Sequence, residues 1–72
     1  MITTGRISSL TESFGFIKDD DSTEYFFLPM VVVGTAFKDL VVGTPVKFAT
    51  QEHKRGLRAL DVRVLGEASD GR

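Results

Sequence analysis

The chain has 72 residues and no cysteine, which allows one domain with one small core and excludes a disulfide framework or a thiolate metal cluster. Nine basic residues against ten acidic ones give a net charge of −1, so bulk electrostatics cannot hold a polyanion and a histone-like binder is excluded. No apolar run approaches the roughly 20 residues of a membrane span, and we expect a cytoplasmic protein that does not contact a membrane.

The hydrophobic pattern predicts strands and turns and no helix. Five short strands are separated by turn-forming residues, at 2–10, 14–18, 24–30, 44–52 and 57–65. Gly5 predicts a bend or bulge in the first strand, whereas Pro29, without an N–H to donate, ends the third and Pro45 begins the fourth. We expect residues 1–66 to form one all-β domain and the small, polar residues 67–72 to form a flexible tail. A closed barrel is the usual way to remove exposed sheet edges at this size.

Alternation along each strand separates an inward face from an outward face. The predicted core consists of apolar side chains from all five strands, namely Ile7, Ile17, Phe27, Val46, Val62 and Val64. In the fifth strand, Leu60 is assigned to the same face as Val62 because the two residues are separated by one position.

The stretch "SFGFIK", residues 13–18, places two phenylalanine side chains on one face of the second strand. Phe14 and Phe16 share that face with Lys18, which favours a wet surface, and Phe26 lies on the matching face of the third strand. An exposed aromatic patch across the two strands is one interpretation, and ordinary core packing is the other. The pattern alone does not separate them.

Four segments, in order and at matching spacing, resemble the cold-shock domain family, whose members bind single-stranded RNA and DNA. "SFGFI" resembles the family's first ribonucleoprotein motif, Lys-Gly-Phe-Gly-Phe-Ile, and "EYFFLP" occupies the place of the second, Asp-Val-Phe-Val-His-Phe. "GTAFKDLVVGTPVKF" resembles Gly-Phe-Lys-x-Leu-x-x-Gly-x-x-Val-x-Phe, and "KRGLRALDV" resembles Lys-Gly-Pro-x-Ala-x-Asn-Val. The likeness covers nearly the whole chain and is that of a divergent bacterial cold-shock-like protein.

The resemblance implies an all-β, five-stranded antiparallel OB-fold barrel that binds single-stranded RNA or DNA with little sequence preference, as an RNA chaperone does. It implies that the phenylalanines of the two motifs face outward and stack on bases, and that one loop ring and one hairpin cation assist them. With a flanking leucine and nearby cations added, the candidate nucleic-acid-binding residues are Phe14, Phe16, Phe26, Phe37, Leu28, Lys18, Arg55 and Arg58. Neither catalysis nor a cofactor is implied.

The first strand departs from the family pattern Gly-x-Val-Lys-Trp-Phe-Asn. Ser8 and Ser9 stand in place of the lysine and the tryptophan, and the following turn is about two residues shorter. Leu28 and Pro29 stand in place of the histidine and the last phenylalanine of the second motif. The stacking surface is therefore partial, and we expect weakened binding.

The remaining polar clusters do not indicate a metal site or an enzyme. His53 has no second metal ligand spaced with it and is interpreted as a solvated loop residue. The acidic run at 19–21 lacks the glycine and the distal glutamate of a calcium loop and is interpreted as a turn. No nucleophile, base and orienting group occur at a readable spacing.

A protein-interaction or self-associating module on a degenerate cold-shock scaffold is the alternative function. The lost platform residues support it, together with the valine runs at 31–33 and 41–42. The long connection between the third and fourth strands would also permit a domain-swapped dimer, although size and family pattern favour a monomer.

Overall fold

The computed structural model describes residues 2–65 as a closed barrel with the strand order β1–β2–β3–β5–β4. The strands are β1 (Ile2–Leu10), β2 (Gly15–Asp19), β3 (Glu24–Phe27), β4 (Pro45–His53) and β5 (Gly56–Val64). The connection between β3 and β4 contains two single 3-10 turns, Pro29–Val31 and Phe37–Asp39, and the described part of the chain has no α-helix. The predicted all-β, five-stranded barrel is confirmed, and the tail predicted at 67–72 lies outside the described residues.

Four of the strand pairings are antiparallel, and the barrel closes through a parallel one. β1 pairs with β2 and β4, β2 pairs with β3, and β4 pairs with β5. The closing bridge joins Phe26 of β3 to Arg58 of β5. Val32 forms a further parallel bridge to Val62, and the Val33 N–H donates to the Val62 carbonyl at 2.8 Å. The first valine run is therefore docked along β5.

The core collects the inward faces of all five strands and one residue of the β3–β4 connection. Its buried residues are Ile7, Ile17, Tyr25, Phe27, Leu40, Val46, Phe48, Ala59 and Val62. Of the six predicted core residues only Val64 differs, because it lies half-buried at the edge of the cluster.

Gly15 determines which way its two phenylalanine neighbours point. A Cβ at this position would lie 2.6 Å from Cε1 of Phe27 and 2.9 Å from Cδ2 of Leu10. The core ring of Phe27 thus fills the space that a side chain at Gly15 would need. With Gly15 facing inward, alternation turns Phe14 and Phe16 outward.

The irregularity of β1 lies at Ser8 and not, as predicted, at Gly5. Gly5 pairs regularly with strands on both sides, whereas the register shifts after Ile7 and leaves Ser8 as the extra residue before Ser9. Gly5 instead permits a close approach, because a Cβ there would lie 2.5 Å from the carbonyl oxygen of Lys18.

A second bulge, in β5, corrects the predicted face of Leu60. The register of β4 against β5 shifts here, and Asp61 adopts φ +53°, a left-handed conformation that aspartate tolerates better than most residues. Ala59 and Val62 are both buried although they are three positions apart, so alternation is interrupted between them. Leu60 consequently lies half-buried on the outer side. The Asp61 carboxylate is paired with Arg63 at 3.0 Å.

The β2–β3 turn is organised around the carboxylate of Asp19, so the acidic run does form a turn. Asp19 accepts hydrogen bonds from the backbone N–H groups of Asp21 and Thr23, and from the Tyr25 hydroxyl at 3.0 Å. These bonds, above all the one from Thr23, lower the pKa of Asp19. Burial, followed by the bond to Asp19, raises the pKa of Tyr25. The network holds together the hairpin whose outer face carries the candidate site.

Candidate nucleic-acid interface

Three phenylalanine rings form a continuous cluster on the outer face of β2 and β3. Phe16 lies directly opposite Phe26 in the strand register, with ring centroids 5.8 Å apart. Phe14 lies 5.6 Å from Phe26 and 5.9 Å from Phe16. We call Phe14, Phe16 and Phe26 the aromatic platform. Its outward orientation is the one that the family resemblance implies.

The rings of the platform partly bury one another, and part of each ring stays exposed to solvent. Each side chain is half-buried, and the interplanar angles run from 39° to 86°, so the surface is faceted rather than flat. Tilted and edge-on contacts are the arrangements that aromatic pairs prefer. The remaining exposed ring area is apolar and can stack on a base.

A cleft of about 310 Å³ lies between the platform and the turn that joins β4 to β5. Its lining residues are Phe16, Phe26, His53, Arg55, Gly56, Leu57 and Arg58. The guanidinium carbon of Arg58 lies 5.6 Å from the centroid of the Phe26 ring, within the range of a cation–π contact. Two of the predicted cations therefore meet the platform in one cleft.

His53 also lines this cleft, although its sequence context indicates only a solvated loop residue. Its Nδ1 accepts the backbone N–H of Arg55 at 3.4 Å. In a neutral ring this leaves Nε2 as the nitrogen that carries the proton and can donate. The sequence could not place His53 at this cleft, because the end of β4 comes next to Phe16 only when the barrel forms.

Leu28 and Leu60 extend the apolar surface beyond Phe26. Both line a small cleft together with Phe26 and Arg58. The flanking position predicted for Leu28 agrees with this geometry. Leu60 was missed because the bulge at Asp61 places it on the opposite face from the one that alternation predicts.

The other end of the platform carries charges of both signs. Lys18 is exposed on the outer face two residues beyond Phe16, opposite Arg6 on β1 and Glu24 on β3. The Ser8 hydroxyl lies 3.4 Å from the Glu24 carboxylate and 3.3 Å from the Phe16 carbonyl oxygen. A phosphate near Lys18 would therefore also meet an acidic neighbour, which weakens this end as an anion site.

The β1 edge of the platform is lined by a hydroxyl where the family pattern has its tryptophan. Ser9 lies opposite Phe16 and is exposed. The bulge at Ser8 keeps Ser9 in register with the platform. The backbone of β1 therefore pairs with β2 at this edge, and only the aromatic ring of the family pattern is absent.

Phe37 lies apart from the platform. Its ring packs edge-on against the core ring of Phe27, with centroids 5.8 Å apart. It is half-buried and lines a separate cleft of about 350 Å³ with Leu10 and the β1–β2 turn. The predicted site residues therefore do not form one surface. Most of them lie on the platform or line the clefts beside Phe26, whereas Lys18 lies at the other end of the platform and Phe37 lies apart.

Comparison with known proteins agrees with this architecture. The family model described as the 'Cold-shock' DNA-binding domain matches residues 3–65. A solved structure described as "drosophila Unr CSD456" matches with a TM-score of 0.78 and 25% sequence identity, over 99% of this chain and 29% of that one. This chain thus spans less than a third of that structure's length. No curated protein sequence matches.

Between residues 2 and 65, no helix has the length and apolar character that a bilayer crossing requires. The same part of the chain has no group of three or more potential metal-ligating side chains.

Proposed function

The chain belongs to the cold-shock domain family, and from that premise we propose that it binds single-stranded RNA or DNA by stacking bases on the aromatic platform. Domains of this family generally bind nucleic acid and are not enzymes. The observation that carries the proposal is the contact of three outward rings with one another beside a cleft lined by Arg55 and Arg58. Outward rings in mutual contact offer apolar faces that unpaired bases can cover.

The stacking energy supports binding of moderate strength. Each base stacked on an aromatic ring contributes about 1–3 kcal/mol, so the three rings of the platform contribute roughly 3–9 kcal/mol before costs. Association costs about 4–15 kcal/mol in lost freedom of motion. Phe37, on its separate surface, would add one more base contact if the strand extends that far. We therefore expect affinity that is micromolar or weaker.

The cations have a secondary function in this mechanism. Arg55 and Arg58 stand at the cleft, and Lys18 stands at the other end of the platform. Each can contact a phosphate while bases lie on the rings. The net charge of −1 leaves little long-range attraction, so short-range contacts decide binding.

We further propose an RNA-chaperone activity. The platform would engage bases only when they are unpaired, because stacking on a protein ring requires that the base leave its duplex. Moderate affinity would let the strand dissociate after the competing duplex has opened. The activity follows from weak, sequence-tolerant stacking.

The self-association alternative receives less support from the β3–β4 connection. Val32 and Val33 are engaged with β5 through the bridge to Val62 and the backbone hydrogen bond, so this run is not a free β-prone segment. Val41 and Val42 are exposed, at 63% and 61%. The monomeric state remains a prediction.

Titration with a short oligouridylate tests the proposal, with the phenylalanine ring signals followed by NMR. The rings of Phe14, Phe16 and Phe26 are expected to shift because bases cover them, whereas those of Phe27 and Phe48 are expected to stay unchanged in the core. Binding that leaves the three platform rings unshifted would contradict the mechanism, and the absence of binding would contradict the function.

The salt dependence of that binding is expected to be shallow. If Lys18, Arg55 and Arg58 neutralise three phosphates of a single strand, the slope of log K against log salt is about −2. Affinities measured between 50 and 300 mM salt, roughly the range in which counterion release is visible, determine the slope. A slope steeper than about −5 would mean that cations and not rings dominate the affinity.

A further inference from the structure

We propose that the cleft between the platform and the β4–β5 turn prefers guanine, and that Arg58 is the residue that reads this base. The inference rests on the proposed function and adds a base preference to it. Stacking alone tolerates any base, because every base has a π-face. A preference must therefore come from hydrogen-bonding groups beside the rings.

The polar side chains that line the cleft are all hydrogen-bond donors. Arg55 and Arg58 have donors and no acceptor, and the Nδ1 acceptor of His53 is already used by the Arg55 N–H. No carboxylate and no amide side chain is among the lining residues. A base edge that faces these side chains therefore meets donors and is favoured when it presents acceptors.

Arg58 is the donor whose position is best defined. Its backbone forms the parallel bridge to Phe26, and its guanidinium lies over the Phe26 ring. Within residues 2–65 it forms no ion pair and donates no side-chain hydrogen bond, whereas Arg63 is paired with Asp61 and Arg6 donates to a backbone carbonyl. The planar fork of N–H donors on the Arg58 guanidinium is thus held in place, and among residues 2–65 it has no hydrogen-bond acceptor.

The platform brings a base next to this fork. The ring centroids of Phe16 and Phe26 are 5.8 Å apart, so a base stacked on Phe16 would lie beside a guanidinium held over Phe26. Both rings and Arg58 line the same cleft. In a single strand the Hoogsteen edge of such a base is free to face the guanidinium.

Guanine is the base whose acceptors match an arginine fork. Its O6 and N7 are adjacent acceptors, and arginine donates to both at once. On the same Hoogsteen edge adenine offers N7 beside a donor amino group, cytosine presents its N4 amino group, and uracil offers O4. Cytosine has adjacent N3 and O2 acceptors on its Watson–Crick edge, so the guanine preference requires that the Hoogsteen edge face Arg58. An arginine fork that meets the Hoogsteen edge therefore favours guanine over the other three bases.

Base analogues test this on the unmodified protein. The probes are an all-uridine hexamer and the same hexamer with one central guanosine, adenosine, inosine or 7-deazaguanosine, each measured by fluorescence anisotropy. We expect the guanosine hexamer to bind about five- to hundredfold more tightly than the all-uridine hexamer. Inosine, which keeps O6 and N7, should retain the gain, and 7-deazaguanosine, which lacks N7, should lose most of it.

The outcomes separate the two proposals. Equal affinity for the guanosine and all-uridine hexamers overturns the base preference and leaves the proposed function standing. No binding to any hexamer overturns both. A gain that 7-deazaguanosine retains in full overturns the fork contact to N7.

The variant Arg58→Lys tests the residue itself, since it keeps the charge and removes the fork. We expect it to bind all probes more weakly and to bring the ratio of guanosine to uridine affinities close to one. The control Arg63→Lys, outside the cleft, should keep that ratio. If Arg58→Lys weakens both probes equally and preserves the ratio, Arg58 contacts a phosphate whichever base is present, and the assignment is wrong.

Discussion

Phe27→Ala is expected to lower the free energy of unfolding by about 3–5 kcal/mol, the cost of removing a buried ring. Phe27 is 1% exposed, its ring fills the space left by Gly15, and it supports Phe37 at the barrel end. A domain of this size buries only about 60% of its unfolded surface and has little stability in reserve. We therefore expect the variant to be largely unfolded in the absence of denaturant.

Circular dichroism without denaturant measures the loss of folded structure, and urea denaturation gives the free energy of unfolding of each protein that remains folded. The adjacent residue supplies the control. Phe26→Ala removes the same side chain one position away, on the outer face of β3. It should cost about 1–3 kcal/mol, the value of its contacts with two neighbouring rings. A larger loss of stability for Phe26→Ala than for Phe27→Ala would show that the assigned faces are inverted.

Phe26→Ala is expected to weaken binding to a short oligouridylate by about 1–3 kcal/mol, or roughly five- to 150-fold. Phe26 touches both other rings of the platform and also supports the Arg58 guanidinium. Its loss removes one stacking face and releases the cation beside it. Fluorescence anisotropy with a labelled oligonucleotide measures the change.

The matched control for binding is Val42→Ala, at an exposed position near the start of β4 and away from the cleft. It should bind as the unmodified protein does. Folded Phe26→Ala protein with unchanged affinity would exclude the platform as the binding surface. Equal weakening by both variants would indicate a general loss of structure.

The β1 residues that depart from the family pattern lie beside the platform, where they would lower the affinity of the proposed binding. Ser9 faces the platform across from Phe16, so the missing tryptophan removes a stacking surface and leaves the strand in place. Ser8, at the bulge, faces Glu24 where the family pattern has a lysine. Binding by this chain would therefore depend more heavily on the opposite side of the platform, where Arg58 and the β4–β5 turn stand.

The outward orientation of the platform came from the family resemblance, whereas the sequence pattern by itself determined the strand positions, most of the core and which rings share a face. These are consequences of alternation, which is a local property of the extended chain. Ile17 and Phe27 fall on the inward face whichever strands become neighbours, and Pro29 cannot continue a ladder. Alternation likewise placed Phe14 and Phe16 on one face of the second strand.

Only the tertiary structure decided where alternation is interrupted and which distant residues meet. The bulges at Ser8 and Asp61 accompany the pairing of each strand with its neighbours in a closed barrel, and the second of them reversed the predicted face of Leu60. The contact of Phe37 with Phe27, and the approach of the β4–β5 turn to the platform, join segments far apart in the chain. No local pattern contains such contacts, because they depend on how the strands close around the core.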